Sequence, residues 1–307
     1  MSSIKTGIYG TGVAADNHAY AIAKNTKYSL IAVSDNHISL SKDFARRHHV
    51  DRYYGDLEYL LSDRDVDIVT VTSPFTDNSF LLPYIAETGR SVIMETPLAP
   101  NLDEAERIIK ISEDEGIFLF PVSQMITDPL VKYIISLIKD NKLGKIEEFK
   151  LSWSFSSPVK RWMSFWKGCD KFTERELLLY SASPAFDLVY ALFGKENVIG
   201  AREREGGLEI TFNRGVLLIK EDGEGFSLLI KGENGLIETK NGKLTLNQSK
   251  EKIIGFDNET MRTPYSSLSS FYDDVYFALE SGVWSEEKYR GSIEGLKYSL
   301  DCRRYFI

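Results

Sequence analysis

The feature that most constrains this chain is a glycine-rich turn set between an apolar strand and a helix. Residues 4–9 (Ile-Lys-Thr-Gly-Ile-Tyr) read as a strand, and Gly10-Thr11-Gly12-Val13-Ala14-Ala15 follows at once and opens a helix from about Ala14 to Lys24. In such a turn the first glycine allows a tight reversal, and the second lets the backbone approach a diphosphate. The small third residue lets the helix pack close to the strand. The helix start then offers bare N–H groups and a partial positive charge to an anion. A second strand at 29–34 ends at Asp35, 25 residues after Gly10. A carboxylate there suits a ribose 2′-OH and repels a 2′-phosphate, which favours NAD over NADP. The alternatives at these positions are a glycine turn that binds nothing and an Asp35 that caps a helix.

The pattern then repeats. Helices are expected near 40–48, 78–88 and 102–115, alternating with strands at 67–73, 91–94 and 117–122. The strands are continuous apolar and β-branched runs, as in a parallel sheet covered on both faces. Alternation of this kind gives right-handed βαβ units and a doubly wound sheet. Past about residue 125 the order changes. A helix at 129–141, a strand at 146–155 and a helical stretch at 173–193 precede short strands between 198 and 255, with turn residues at Gly206-Gly207, Asn213-Arg214-Gly215, Asp222-Gly223, Glu233-Asn234-Gly235 and Asn241-Gly242. Closely spaced turns of this composition predict an antiparallel sheet. Two helices, about 266–281 and 286–305, close the chain. The expected fold class is α/β: a Rossmann domain over 1–125 and an α+β domain with an open antiparallel sheet over 126–307.

Composition narrows the partners. The net charge of −8 over 307 residues argues against nucleic acid or an anionic membrane as the main partner. No apolar run approaches the roughly 18 residues of a membrane span. Met1-Ser2-Ser3 leads straight into the first strand pattern, so no signal peptide is expected. The two cysteines, Cys169 and Cys302, are therefore expected to be free thiols in a cytoplasmic protein. The four histidines (His18, His37, His48 and His49) form no metal-ligand spacing with cysteine, so no metal site is expected.

Several segments together resemble the glucose–fructose oxidoreductase/inositol dehydrogenase (Gfo/Idh/MocA) family. They are Gly7-Ile8-Tyr9-Gly10-Thr11-Gly12, Leu57–Leu61 with Asp65-Val66-Asp67-Ile68-Val69, Thr72-Ser73-Pro74, and Gly89-Arg90-Ser91-Val92-Ile93-Met94-Glu95-Thr96-Pro97-Leu98-Ala99. The likeness is specific over about residues 4–130 and looser beyond. It implies reversible oxidation of a sugar-like hydroxyl with a nicotinamide cofactor, and an open sheet used in a homodimer or tetramer. Carried over residue by residue, it places cofactor contacts at Gly10, Thr11, Gly12, Val13, Ala14, Asp35, Ser73, Pro74, Asn78, Glu95 and Pro97. In the family the bond before that proline is often cis.

The departures from the family fall on its catalytic groups. Its Glu-Lys-Pro signature is here Glu95-Thr96-Pro97, and Asn78 stands where a histidine is usual. Aligning on Asp187-Leu188-Val189-Tyr190-Ala191-Leu192-Phe193-Gly194 puts Tyr180 on the family's first helix aspartate and Pro184 on its histidine; Asp187 matches the second aspartate. A spacing of four would set 180 and 184 on one helix face, and Pro184 is expected to break or kink that helix. Thr96 and Tyr180 are thus the candidate catalytic groups. Gln124, Trp162, Tyr180 and Asp187 are the candidate substrate contacts. Loss of a general acid/base costs roughly 10²–10⁴ in rate. Three readings follow: an NAD(P)-dependent oxidoreductase with an altered acid/base set, a non-catalytic dinucleotide- or sugar-ligand-binding regulator on the same scaffold, or a structural subunit that has lost cofactor binding, which the intact glycine turn and Asp35 disfavour.

Overall fold

A computed structural model describes residues 3–154, 171–220, 226–240, 243–248, 251–257, 264–284 and 286–306. The chain forms two compact units, Met1–Gln124 with Pro264–Ile293 and Met125–Thr263 with Glu294–Ile307. The expected division had one boundary, near residue 125. In the structure a C-terminal segment also returns to the first unit.

The first unit alternates strand and helix: β1 (Ile4–Tyr9), α1 (Val13–Lys24), β2 (Tyr28–Ser34), α2 (Ile38–His48), β3 (Arg52–Tyr54), α3 (Leu57–Ser62), β4 (Ile68–Val71), α4 (Asn78–Ala86), β5 (Ser91–Met94), α5 (Leu102–Asp114) and β6 (Leu119–Pro121). The strands form one parallel sheet in the order β3-β2-β1-β4-β5-β6. Every residue of β4 is buried, the price of a strand covered on both faces. Helix starts follow capping chemistry. Asp56 accepts from Tyr59 N at α3, and Asn101 accepts from Glu104 N at α5. The short pair β3 and α3 is absent from the elements expected from sequence, because a three-residue strand with two exposed positions carries no readable period.

The remainder comprises α6 (Gln124–Thr127), α7 (Pro129–Lys139), β7 (Ile146–Ser154), α8 (Glu174–Ser181), α9 (Ser183–Phe193), β8 (Val198–Arg204), β9 (Gly207–Phe212), β10 (Gly215–Lys220), β11 (Phe226–Gly232), β12 (Gly235–Lys240), β13 (Lys243–Gln248), β14 (Glu251–Asp257), α10 (Pro264–Ser281) and α11 (Glu286–Arg303). Helix α10 belongs to the first unit. Its Leu268, Phe271, Tyr272, Val275 and Ala278 share a core with Ile8, Ala15, Ile22 and Phe120. Their three-and-four spacing is that of one apolar helix face.

The second unit holds an eight-stranded sheet, β14-β13-β12-β11-β7-β10-β9-β8. It is mixed rather than purely antiparallel, because β7 and β10 run parallel. A parallel neighbour requires a long crossover, and here more than sixty residues of sequence, including α8 and α9, separate the start of β7 from that of β10. The other neighbours are antiparallel and, apart from β7 with β11, consecutive in sequence, with Arg204 opposite Gly207 and Gly232 opposite Gly235 at two tight turns. Alternate residues Leu217, Ile219, Leu228 and Ile230 enter a core with Ile134 of α7 and Phe186 of α9.

The expected helical stretch over 173–193 is two helices, interrupted close to the proline expected to break or kink it. Ala182 separates them, and Pro184 sits in the first turn of α9, where a missing N–H costs nothing. Tyr180 and Pro184 therefore do not share one continuous helix. No helix among the described residues is long and apolar enough to cross a membrane. Trp162, with Trp166, Lys160, Lys167 and Cys169, lies outside the described residues.

Candidate dinucleotide-binding site

The turn after β1 is built for glycine at two positions, for different reasons. Gly10 has φ +99°, and a Cβ there would lie 2.7 Å from Thr72 Oγ1 and 3.0 Å from the Thr72 carbonyl carbon. Its N–H donates to Ser34 O at 2.8 Å, which draws the turn against the end of β2. Gly12, the residue before α1, is extended (φ −76°, ψ −170°), and no side chain caps the helix. A Cβ on Gly12 would meet nothing within 4 Å. The space above it is open, so the uncapped N–H groups of α1 face a cradle that a side chain would fill. Val13 is 55% exposed, Ala14 is half-buried, and Ala15 is packed into the core.

On the β2 side, the Thr11 hydroxyl donates to Asp35 Oδ2 at 2.7 Å, and the His37 N–H donates to Asp35 Oδ1 at 3.0 Å. The His37 ring Nδ1 lies 3.6 Å from the same oxygen. The N-cap of α2 is His37, so Asp35 is not the helix cap. A carboxylate has about four lone-pair positions, and two of these are engaged, leaving acceptor capacity for a pair of ribose hydroxyls. Beside it, the Tyr9 hydroxyl donates to Asn36 Oδ1 at 2.9 Å, and burial together with the Asp35 charge pushes the Tyr9 phenol above its ordinary value.

On the other side lie the ends of β4 and β5. Ser73 and Pro74 are half-buried. Asn78, expected to face a cofactor, is 1% exposed, and its Nδ2 donates to Leu98 O at 3.0 Å. It braces the segment after β5 from below. Ser73 Oγ and Asn78 Oδ1 are buried oxygens with no hydrogen-bond partner among the described residues, which is uncommon in a folded interior and fits a site completed by a ligand. The Thr96-Pro97 peptide is cis. The Thr96 hydroxyl donates to Val122 O at 3.2 Å, so its proton is held within the fold.

Glu95 is the part-exposed acid at this edge, with 30% of its side chain accessible. Its Oε1 lies 2.9 Å from Nε2 of His18, and His18 Nδ1 lies 2.9 Å from the Tyr272 hydroxyl. Tyr272 O–H lies 3.4 Å from Thr70 Oγ1, and the Tyr272 backbone oxygen accepts from Tyr28 O–H at 2.8 Å. Burial pushes the Tyr272 phenol well up, so it is a neutral hydroxyl. His18 and Tyr272 are missed by reading motifs. The available signal was periodicity: His18 shares the face of α1 that carries Ala15, Ala19 and Ile22, all buried.

The candidates in the second unit are placed differently from expectation. Tyr180 is 1% exposed. Arg303 Nη2 donates to its hydroxyl, and the guanidinium carbon stands 4.8 Å from the ring centroid. Arg303 also pairs with Glu176 at 3.1 Å, and the Phe172 ring meets Tyr180 edge-on at 5.4 Å. Asp187 is completely buried and packs against Gly295, where any side chain would collide with Asp187 Oδ1. Both residues were expected to contact substrate. Both are buried: Tyr180 in the last turn of α8, and Asp187 among the buried residues of α9. Gln124 is half-buried at the end of the first unit. Among the described residues no three His, Cys, Asp or Glu side chains form a metal-binding group.

A doubly wound parallel sheet, an uncapped helix behind a glycine turn and an acid at the end of the second strand define a dinucleotide-binding α/β protein. Residues 4–122 match the model of the GFO_IDH_MocA group, described as an oxidoreductase family with an NAD-binding Rossmann fold. It is 26% identical to the uncharacterized protein YMR315W of Saccharomyces cerevisiae over 269 residues, 82% of this chain and 76% of that protein. It is 23% identical to trans-1,2-dihydrobenzene-1,2-diol dehydrogenase of Xenopus laevis over 157 residues, 50% of this chain and about half (47%) of that enzyme. The structure of levoglucosan dehydrogenase in complex with NADH and levoglucosan superposes with a TM-score of 0.81 at 15% identity, covering 99% of this chain and 96% of the other. At that identity the likeness is one of fold.

Proposed function

We propose that this protein is an NAD(P)-dependent oxidoreductase acting on a sugar-like or related small hydroxyl or carbonyl substrate, with NAD preferred. The observation that carries the reading is the geometry around the first crossover: an open cradle over Gly12, and an Asp35 carboxylate oriented in advance by Thr11 and the His37 N–H. Both features cost the free protein something, since an uncapped helix start and a constrained acid are each better satisfied by a ligand. The nicotinamide supplies a hydride acceptor or donor when bound. The N–H groups of α1 hold the diphosphate, Asp35 accepts from the adenosine ribose, and Glu95 offers an acceptor at the β5 end. The substrate class draws support from a levoglucosan dehydrogenase of similar fold and from a trans-1,2-dihydrobenzene-1,2-diol dehydrogenase similar in sequence over half of this chain.

The second reading, a dinucleotide-binding regulator without turnover, is favoured by specific contacts. The Thr96 proton is committed to Val122 O, while Tyr180 and Asp187 are interior. Nicotinamide fluorescence during titration with NADH and NADPH tests binding, and a screen of polyols, sugar acids and aldehydes at the nicotinamide absorbance band tests turnover. Binding with turnover supports the enzyme. Binding without it supports the regulator, and no binding of either nucleotide removes both. The proposal includes a cytoplasmic homodimer or tetramer. Half-exposed Val216, Leu218, Leu229 and Leu236 alternate with core residues on neighbouring strands of the second sheet, and light scattering measures the mass directly.

A further inference from the structure

His18 is fully buried and has a partner on each ring nitrogen, an expensive arrangement for a polar side chain unless the network is complete. An ionised carboxylate only accepts hydrogen bonds, so the proton between Nε2 and Glu95 belongs to the imidazole. In the neutral ring Nδ1 is then an acceptor, and the Tyr272 phenol, kept protonated by burial, donates to it. Thr70 Oγ1, at 3.4 Å, completes the row behind Tyr272. Every proton in the row points toward the one member with substantial exposure, Glu95, at 30%. The row joins four pieces of the first unit: the helix opened by the glycine turn, β4, the end of β5 and helix α10.

The position of Glu95 along the sheet says which part of a dinucleotide it would meet. In the strand order, β2 with Asp35 lies on one side of β1, and β4 then β5 lie on the other. Neighbouring strands are about 4.8 Å apart, so the end of β5 stands roughly 10 Å from the turn that would hold the diphosphate. With the adenosine ribose on the β2 side, the remaining half of the molecule extends over β4 and β5. The nicotinamide half presents carboxamide N–H and ribose O–H donors, which an acceptor carboxylate matches.

We propose that His18, itself oriented by Tyr272, is the positioning residue that holds the Glu95 side chain in place and aimed for the nicotinamide half of the cofactor. This rests on the dinucleotide-binding reading above. His18 touches no ligand; it acts through Glu95. The consequence is selective: the row matters for the nicotinamide half and not for the adenosine half.

The test compares NADH with ADP-ribose, which carries the adenosine half and diphosphate but no nicotinamide, on the full chain by calorimetry. His18→Leu keeps the volume and removes both hydrogen bonds. It is expected to weaken NADH binding about tenfold and leave ADP-ribose within about twofold. His18→Gln places a side-chain N–H where Nε2 stands and is expected to restore most of the NADH affinity. Tyr272→Phe is expected to weaken NADH alone, and it decides the matter if His18→Leu does not fold. Equal losses for both ligands, or unchanged NADH binding in His18→Leu and Tyr272→Phe, would overturn the assignment while leaving cofactor binding intact. Wild-type protein that binds neither ligand would instead sink the dinucleotide reading, and this inference with it.

Discussion

The hydroxyl of Thr11 donates to Oδ2 of Asp35 at 2.7 Å, tying the turn after β1 to the end of β2. The proposed diphosphate cradle and the proposed ribose acceptor are therefore one assembly in the free protein, and binding would not have to bring them together. Asp35→Asn keeps the shape and removes the charge. NADH affinity is expected to fall about tenfold, with NADPH affected less, because the repulsion of a 2′-phosphate disappears with the carboxylate. Fluorescence titration with the two nucleotides measures the ratio, and an unchanged ratio would remove Asp35 as the discriminating group.

Gly10 and Gly12 separate stability from binding. Gly10→Ala forces a side chain into φ +99° and against Thr72, with an expected loss of about 1–3 kcal/mol in urea unfolding. Gly12→Ala adds a methyl where no protein atom lies within 4 Å, at backbone angles alanine accepts. Its unfolding midpoint should match the wild type while NADH binding is lost. A Gly12→Ala protein that binds NADH normally would show that the nucleotide does not use this cradle.

Thr96 marks the boundary between enzyme and regulator. Its hydroxyl proton serves Val122 O, and a neutral hydroxyl supplies no cation to a reacting oxygen. Thr96→Lys is expected to raise polyol oxidation above the wild-type level at alkaline pH, followed by NADH absorbance. No gain in a folded, NADH-binding variant would mean that the groups replaced at 180 and 184 weigh more than the lysine.

Asp128 caps α7, with Oδ1 accepting from Leu130 N at 2.8 Å and Val131 N at 3.4 Å. Burial pushes its carboxyl above the ordinary range, and those N–H groups and Lys132 only partly oppose the shift. A raised folded value means that this group's stabilisation is complete below the unfolded pKa of about 3.9 and is lost as pH rises through the folded value. Asp128→Asn keeps an acceptor oxygen without the buried charge. Its stability relative to wild type should be lowest at acid pH and improve toward neutrality. Asp128→Ala, lacking the cap, should lose about 1 kcal/mol. Unfolding midpoints across the pH range decide it, and a flat difference between Asn and Asp would contradict the assignment.

Much of the first unit was legible because its signals are local. Apolar runs, the Gly10-Gly12 turn and the acid at 35 each follow from residues within one crossover, and a buried parallel strand leaves an unbroken apolar stretch. The same locality explains the failures. The interruption of the 173–193 stretch expected at Pro184 falls two residues earlier, at Ala182. Tyr180 and Asp187 were placed by alignment to a pattern that assumes that helix is continuous, and the structure puts both inside. The parallel pairing of β7 with β10 depends on a crossover no single strand encodes.

From residues alone came the alternation of strand and helix, the glycine turn and its companion acid, and the loss of lysine at 96, because each is a matter of neighbours along the chain. The meeting of His18, Glu95 and Tyr272 came only with the folded chain. Residues 18, 95 and 272 are joined by burial and hydrogen-bond completion, and no periodicity measures contacts between positions 77 and 254 residues apart.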